Sequence, residues 1–396
     1  MRPHRGDPAP LREAARAATR SRRYFSDVRH LYIHVPFCRR RCAYCDFSIA
    51  VRRVVPASEF AGAVGAELAS RAPASGWSLD TLYLGGGTPS LLGADGVARL
   101  LDAVRRRARL EADAEVTLEA NPEDVTAAAA AAWRAAGVTR LSVGAQSFDD
   151  RALAWMHRTH DAARTAAAVA AAREGGIANL SLDLIFALPE ALERSWERDV
   201  ERALGLAPEH ISLYGLTIEP RTPLGRWRGD GRVVEAPEER YARDYLRAHR
   251  ALRAAGFEHY EVSNFARPGR RARHNAAYWR RVPYVGAGPA AHSFDGSARR
   301  WNVAPYAEWA RRVAGGRDPE EGREVLTGDD REAERIYLAL RTDDGLVLDA
   351  AGLARTRPWV DAGWGTLARG RLRLTAEGWL RLDALATDLT LVSSNS

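Results

Sequence analysis

Cys38, Cys42 and Cys45 are the only cysteines in the chain. They are spaced C-x3-C-x2-C, directly behind the apolar run Leu31-Tyr-Ile-His-Val-Pro-Phe. A strand running into a short loop would turn all three sulfurs toward one point. Three chemistries compete for such a cluster. Free cysteines often pack as small hydrophobes, but Arg39, Arg40, Arg41 and Asp46 flank these and do not suit a core. Structural zinc takes four protein ligands, and His34 would have to supply the fourth. A [4Fe–4S] cluster wants thiolates, and three of them leave one iron open to a ligand that is not protein. The neighbouring arginines lower thiol pKa values and offset the negative charge of such a cluster, so the flanking residues favour this third chemistry.

The remaining polar candidates fall where apolar runs end. Runs with strand character are Leu31–Val35, Thr81–Gly85, Glu115–Glu119, Arg140–Gly144, Leu180–Phe186 and His210–Leu216. Between them lie helical stripes such as Val97, Leu100, Leu101 and Val104. Asn121 before Pro122 reads as a helix start, and Asp161 as the cap of an Ala-rich helix ending at Gly175-Gly176. The step from strand to strand is about 30 residues, the size of a βαβ unit. Alternation of this kind predicts a parallel sheet with right-handed crossovers. Six units fall short of the eight in a closed barrel. The expected fold class is therefore α/β, an open six-unit (β/α) partial barrel with its active groups at the C-terminal strand ends.

Those ends carry Gly85-Gly86-Gly87-Thr88, Glu119 and Gln146, and the fifth strand contains Asp183. Glycines let the backbone approach a ligand closely. An acid in so apolar a strand is costly unless it is paired or bound to ligand. Asp183 suits hydroxyls, Glu119 an ammonium and Arg158 a carboxylate. Taken jointly, beside a cysteine loop, they point to a single ligand.

Composition bounds the rest. All 58 basic residues are arginine, and the net charge of +7 suits a small anionic ligand as well as nucleic acid. No basic patch studded with aromatics is visible, which counts against nucleic acid. Three clustered cysteines cannot form a disulfide framework, so a reducing compartment is expected. No apolar run reaches transmembrane length. The expected location is cytoplasmic, with a peripheral stay at the inner membrane face left open. Residues 1–30 are Arg-rich, lack an apolar h-region and read as a flexible arm, although a mitochondrial transit peptide shares that composition. Residues 31–313 read as the barrel with an extension. A shift to Gly and charge, with Gly315-Gly316 and Asp329-Asp330, marks 314–396 as a small, mostly helical, winged-helix-like unit.

The C-x3-C-x2-C motif with Tyr44 before its last cysteine resembles that of the radical S-adenosylmethionine (SAM) superfamily. Leu31-Tyr-Ile-His-Val-Pro-Phe-Cys38, Tyr83-Leu-Gly-Gly-Gly-Thr-Pro-Ser90, Leu118-Glu-Ala-Asn-Pro-Glu123, Ser142-Val-Gly-Ala-Gln-Ser-Phe148 and Asp183-Leu-Ile-Phe-Ala-Leu-Pro189 resemble its oxygen-independent coproporphyrinogen III oxidase group. The resemblance implies a [4Fe–4S] cluster on Cys38, Cys42 and Cys45, its open iron chelated by SAM. It also implies SAM contacts at Tyr32, Tyr44, Gly86, Gly87, Thr88, Glu119, Gln146, Arg158, Asp183 and Thr217.

Two features separate branches within that group. The oxidase carries a further cysteine two residues after the third cluster ligand, where this chain has Phe47. The heme-chaperone branch, HemW, carries an H-N-x-x-Y-W block, and this chain has His274-Asn275-Ala-Ala-Tyr278-Trp279. The resemblance thus implies a heme chaperone that holds heme through His274, Asn275, Tyr278 and Trp279 and delivers it to acceptor hemoproteins, membrane-bound respiratory enzymes among them. It assigns no catalytic residue. A neutral imidazole is a good axial ligand, the two aromatics offer flat faces, and Arg270, Arg271, Arg273, Arg280 and Arg281 could meet propionates. The plainer reading makes His274 a histidine hydrogen-bonded within the fold. His292 is the second-choice ligand, and His249 reads as core. Oxidase turnover, a radical SAM enzyme acting on nucleic acid and a homodimer remain alternatives at this point.

Overall fold

The computed structural model describes residues 28–73 and 75–393. The expected arm lies outside the described residues except for its last three. Those three belong to the folded body: Val28 is buried, Arg29 pairs with Asp80 at 2.6 Å and His30 begins the first strand.

All six expected strands form: β1 (His30–Val35), β2 (Trp77–Gly86), β3 (Ala108–Ala120), β4 (Arg140–Gln146), β5 (Asn179–Phe186) and β6 (His210–Gly215). Each pairs in parallel with the next. Three further short strands extend the sheet: β7 (Glu258–Glu261), β8 (Asn264–Ala266) and β9 (Val285–Ala287). The order is β9-β1-β2-β3-β4-β5-β6-β8-β7. β9 adds in parallel to β1, whereas β8 adds antiparallel to β6. The sheet is open, as expected, and longer at both edges.

Strand periodicity divides the residues between two faces. Leu82, Leu84, Val116, Leu118, Leu141, Val143, Leu180 and Leu182 share one apolar cluster with Val97, Leu100, Leu101 and Val104 of the helix α1 (Gly93–Arg105). The residues between them, including Tyr83, Thr117, Glu119, Ser142 and Asp183, are left for the opposite face. Asp161 caps α2 (Ala162–Glu174) by accepting from the Arg164 N–H. Asn121 does not cap a helix. Its side chain makes no cap bond, Pro122–Asp124 is a single 3-10 turn, and Thr126 caps the helix that follows.

Beyond the sheet, His292–Phe294, Ala298–Asn302 and Glu320–Val325 make a separate three-stranded sheet. Glu320–Val325 lies C-terminal to the boundary expected at 314, yet it pairs with Ala298–Asn302. The small unit's own helix α3 (Gly328–Arg341) starts at a capping box on Thr327. Ile336, Leu340, Trp359, Leu372, Trp379 and Leu389 form its own core, around a helix, helix, ribbon, helix order. Trp379 meets the barrel at His259, ring centroids 4.3 Å apart. No helix among the described residues is long and apolar enough to cross a membrane.

Candidate functional site

The cysteine loop leaves β1 and is fastened from several sides. Phe37–Cys38 pairs with Ala50–Val51. Ala43 is fully buried, its N–H bonds Met156 O at 3.0 Å and its carbonyl accepts from the Leu224 N–H at 2.9 Å. Gly87 allows the neighbouring loop to pass close by, because a Cβ there would stand 2.8 Å from the Pro36 and Phe37 backbone. Cys38, Cys42 and Cys45 line one cavity of about 410 Å3 at the C-terminal strand ends. Tyr44, Gly86, Gly87, Thr88, Glu119, Gln146, Arg158, Asp183 and Thr217 line it too. Nine of the ten expected SAM contacts therefore meet the three thiols in one place. Tyr32 is the exception. Its ring stacks on Tyr83 with centroids 6.1 Å apart and its hydroxyl lies 3.1 Å from His34 Nδ1, which sets it behind the cavity wall.

His34 is not a fourth zinc ligand. It is buried, and its Nε2 is 2.8 Å from the Ser48 carbonyl. No three His, Cys, Asp or Glu side chains among the described residues converge as they would on a single ion. Thiols spread around one cavity suit a polynuclear cluster better. Two of them receive donors: Thr88 Oγ1 reaches Cys38 Sγ and Arg158 Nη1 reaches Cys42 Sγ, each at 3.5 Å. Such donors orient sulfur ligands and stabilise their negative charge. Without a metal's charge, burial pushes the Cys38 thiol up to about 11 and raises Cys45 as well. Ligation of iron is thus coupled to release of protons.

The acids meet different surroundings. Glu119 accepts from the Tyr83 hydroxyl at 2.7 Å and the Gly86 N–H at 3.0 Å, yet burial pushes it up to about 7. Asp183, also raised by burial, accepts from Ser142 Oγ at 3.1 Å. Gln146 is carried into the cavity by an irregularity after Val143 and by a backbone φ of 63°. A non-glycine residue in that region stores strain, which is commonest at functional sites.

Arg158 is organised by a residue that sequence reasoning gave another role. Asn121 Oδ1 accepts from Nη2 at 2.6 Å, and the Gly144 carbonyl accepts from the same nitrogen at 3.1 Å. Ser142 and Tyr214 also line the cavity without having been singled out. For Tyr214 the signal was its place near the end of β6; Ser142 lies inside β4 and reaches the cavity by strand alternation.

The H-N-x-x-Y-W block lies within α4 (Arg273–Trp279), with His274 and Ala277 buried. His274 is 1% exposed. Its Nδ1 lies 2.6 Å from Thr81 Oγ1, its Nε2 lies 2.8 Å from the Tyr278 hydroxyl, and its ring stacks on Tyr83. Both ring nitrogens thus have partners within the fold, Thr81 and Tyr278. Trp279 lies under Arg341, 4.2 Å from guanidinium to ring. Asn275 is half-buried at the start of the helix. Arg271, Arg273, Arg280 and Arg281 pair with Asp343, Asp113, Asp344 and Glu334. His292 is exposed and stacks on Trp301; His249 is half-buried against His259.

The Radical SAM superfamily model matches residues 32–203. The heme chaperone HemW of Mycobacterium tuberculosis is 39% identical over 366 residues, covering 91% of this chain and 94% of that protein. The chain belongs to the HemW family. HemW of Bacillus subtilis is 34% identical over 81% of this chain and 85% of its own. Among solved structures, the coproporphyrinogen III oxidase of Escherichia coli superposes with a TM-score of 0.77, at 24% identity, over 97% of this chain and 93% of that one. That likeness is one of fold. Membership in the radical SAM superfamily implies a [4Fe–4S] cluster and SAM, and the donor set fits both. When bound, the pair would supply one-electron reductive chemistry, and Glu119, Arg158 and Asp183 of the cavity lining are the charged groups that would meet SAM's polar ends.

Proposed function

We infer that this protein is a heme chaperone, one that binds heme and hands it to acceptor hemoproteins. Cys38, Cys42 and Cys45 would hold the cluster, with SAM among Glu119, Gln146, Arg158, Asp183 and Thr217. The reading is carried by one contrast. The cavity gathers the three cysteines and nine of the ten expected SAM contacts, but Phe47, 60% exposed at the rim, stands where the oxidase group carries a further cysteine. Near-full-length identity to chaperones named HemW supports the same reading. The acceptors would include membrane-bound respiratory enzymes, reached from the cytoplasmic side.

The test is a heme titration of anaerobically reconstituted protein, followed by mixing with an apo-hemoprotein. Uptake with a Soret band and transfer to the acceptor are expected. Protein that takes up no heme would remove the chaperone reading. Vinyl product formed over many turnovers from coproporphyrinogen III and a reductant would replace it with the oxidase reading.

A further inference from the structure

The inner face of the sheet holds one charge that no contact explains. Arg140 opens β4, shares the face of Ser142 two residues on, and is 2% exposed. Its Nε has no hydrogen-bond partner within the fold, and no carboxylate among the described residues forms an ion pair with it. Its neighbours in register, Thr117 on β3 and Asn179 on β5, each leave a side-chain oxygen unpartnered as well. A guanidinium keeps its charge when buried, and an uncompensated buried charge costs stability.

The charge acts through its field rather than through contact. One step up the same face, Glu119 on β3 stands beside Ser142 in register, and Ser142 Oγ donates to Asp183 on β5 at 3.1 Å. Arg140 therefore sits between the strands that carry the two acids expected to meet SAM. Burial raises Glu119 first of all and Asp183 adds to it, while the Tyr83 hydroxyl, the Gly86 N–H and Arg140 act the other way. Burial raises Asp183 too, against the Ser212 hydroxyl and Arg140. The other titratable groups turned to this pair are Tyr32, Tyr83, Tyr214 and Tyr278, from β1, β2, β6 and α4. Burial lifts all four hydroxyls above their ordinary range, so they stay neutral. His210 and Tyr260, which face Arg140 from β6 and β7, are held neutral by burial as well. Glu115, lower on β3, is taken up by the backbone N–H groups of Arg273 and His274. Neutral groups cannot balance two carboxylates, so the balance falls to Arg140.

We propose that Arg140 is a positioning residue for SAM: its buried cation holds Glu119 and Asp183 ionised, ready for the ligand's ammonium and hydroxyls. The inference rests on the placement of SAM proposed above.

The experiment uses cluster-loaded, full-length protein. SAM affinity is measured by calorimetry from about pH 6 to about pH 8 for wild type, Arg140→Met and Arg140→Lys. Replacing an unpaired buried charge by an apolar chain of similar length does not threaten the fold. Loss of the cation raises the acids' pKa values, so the ionised form that holds an ammonium is reached only at higher pH. The ratio of wild-type to Arg140→Met affinity, in which titration of the ligand itself cancels, is expected to be about tenfold near pH 6 and about twofold or less near pH 8. Arg140→Lys keeps a cation inside the sheet and is expected to follow wild type. Infrared difference spectra of SAM-free protein, read against Glu119→Gln, should place the carboxyl midpoint about one pH unit higher in Arg140→Met. An affinity ratio that stays constant with pH, or a carboxyl midpoint that does not move, overturns the role of Arg140 while the placement of SAM stands. SAM affinity unchanged in Glu119→Gln removes the ligand from that carboxylate and overturns both.

Discussion

Arg158 bridges a cluster cysteine and a strand-end amide: its Nη1 is 3.5 Å from Cys42 Sγ and its Nη2 is 2.6 Å from Asn121 Oδ1. The guanidinium is buried, and its pKa lies above the ordinary range because Tyr44, Cys42 and Glu123 outweigh desolvation. Its planar fork serves sulfur, amide and the Gly144 carbonyl at once, and a lysine ammonium cannot match that geometry. Arg158→Ala and Arg158→Lys should both lower iron and sulfide content after reconstitution. Both should weaken SAM binding by at least about tenfold, the scale of a lost charge-assisted hydrogen bond. Asn121→Ala should act in the same direction at roughly 1 kcal/mol. Full iron content with normal SAM affinity in Arg158→Lys would show that charge alone suffices.

Glu119 makes ligand affinity pH-dependent. Burial holds its folded pKa at about 7, against about 4.3 in an unfolded chain. The folded state therefore binds the extra proton, and the stability this contributes is lost as pH rises through 7. A ligand ammonium at the carboxylate reverses the preference by favouring the ionised form. SAM affinity, and the rise in Tm that SAM produces, should grow from about pH 6 to about pH 8, by up to tenfold per unit. Glu119→Gln should flatten that slope. Titration calorimetry giving the same affinity across this range would place the ammonium elsewhere.

The parallel core and the cysteine cavity were legible because both follow from strong local rules. β1–β6 are apolar runs at regular intervals, and polar groups at their ends could only converge on one side of the sheet. The edge strands were not legible. β7, β8 and β9 are three or four residues long, and their pairing is decided by what they lie against. Glu320–Val325 is polar and largely exposed, so composition made it resemble a linker. Asn121-Pro122 carries a genuine helix-start signal, but the buried charge of Arg158 claims the amide. The packing of His274 was not legible either. Spacing shows four residues on one helical turn but not which way the turn faces. Here Glu115, far away in sequence, accepts from the His274 backbone N–H and draws the turn against the sheet.

Gln146 should show a trade-off between stability and binding. Its φ of 63° costs a non-glycine residue about 1–2 kcal/mol, which a glycine avoids while losing about 0.5–1 kcal/mol through unfolded-chain entropy. Gln146→Gly should therefore be neutral to about 1 kcal/mol more stable in urea. It should lose SAM affinity, because the cavity wall loses its amide. Stabilisation together with unchanged SAM affinity would remove Gln146 from the ligand's contacts.

His274 should behave as a titrating core residue in heme-free protein. Burial pushes it down to about 3, so it is neutral in the folded protein, whereas the unfolded chain protonates near 6.5. Stability from this group is present above the unfolded value and is lost as pH falls, by about 1.4 kcal/mol per pH unit below 6.5. His210 and His259, also depressed by burial, act in the same direction, while Glu119 opposes them between its two pKa values. Substitution isolates the single term. His274→Gln keeps part of the hydrogen bonding to Thr81 and Tyr278 and should cost about 2–3 kcal/mol at pH 7 in urea denaturation. Wild type loses its own share of stability in acid, so the gap should close by about 2 kcal/mol at pH 5. A gap that stays constant with pH would mean that the imidazole is not held neutral. Loss of the Soret band in a folded His274→Gln would make the imidazole part of the heme site, and an unchanged band would remove it.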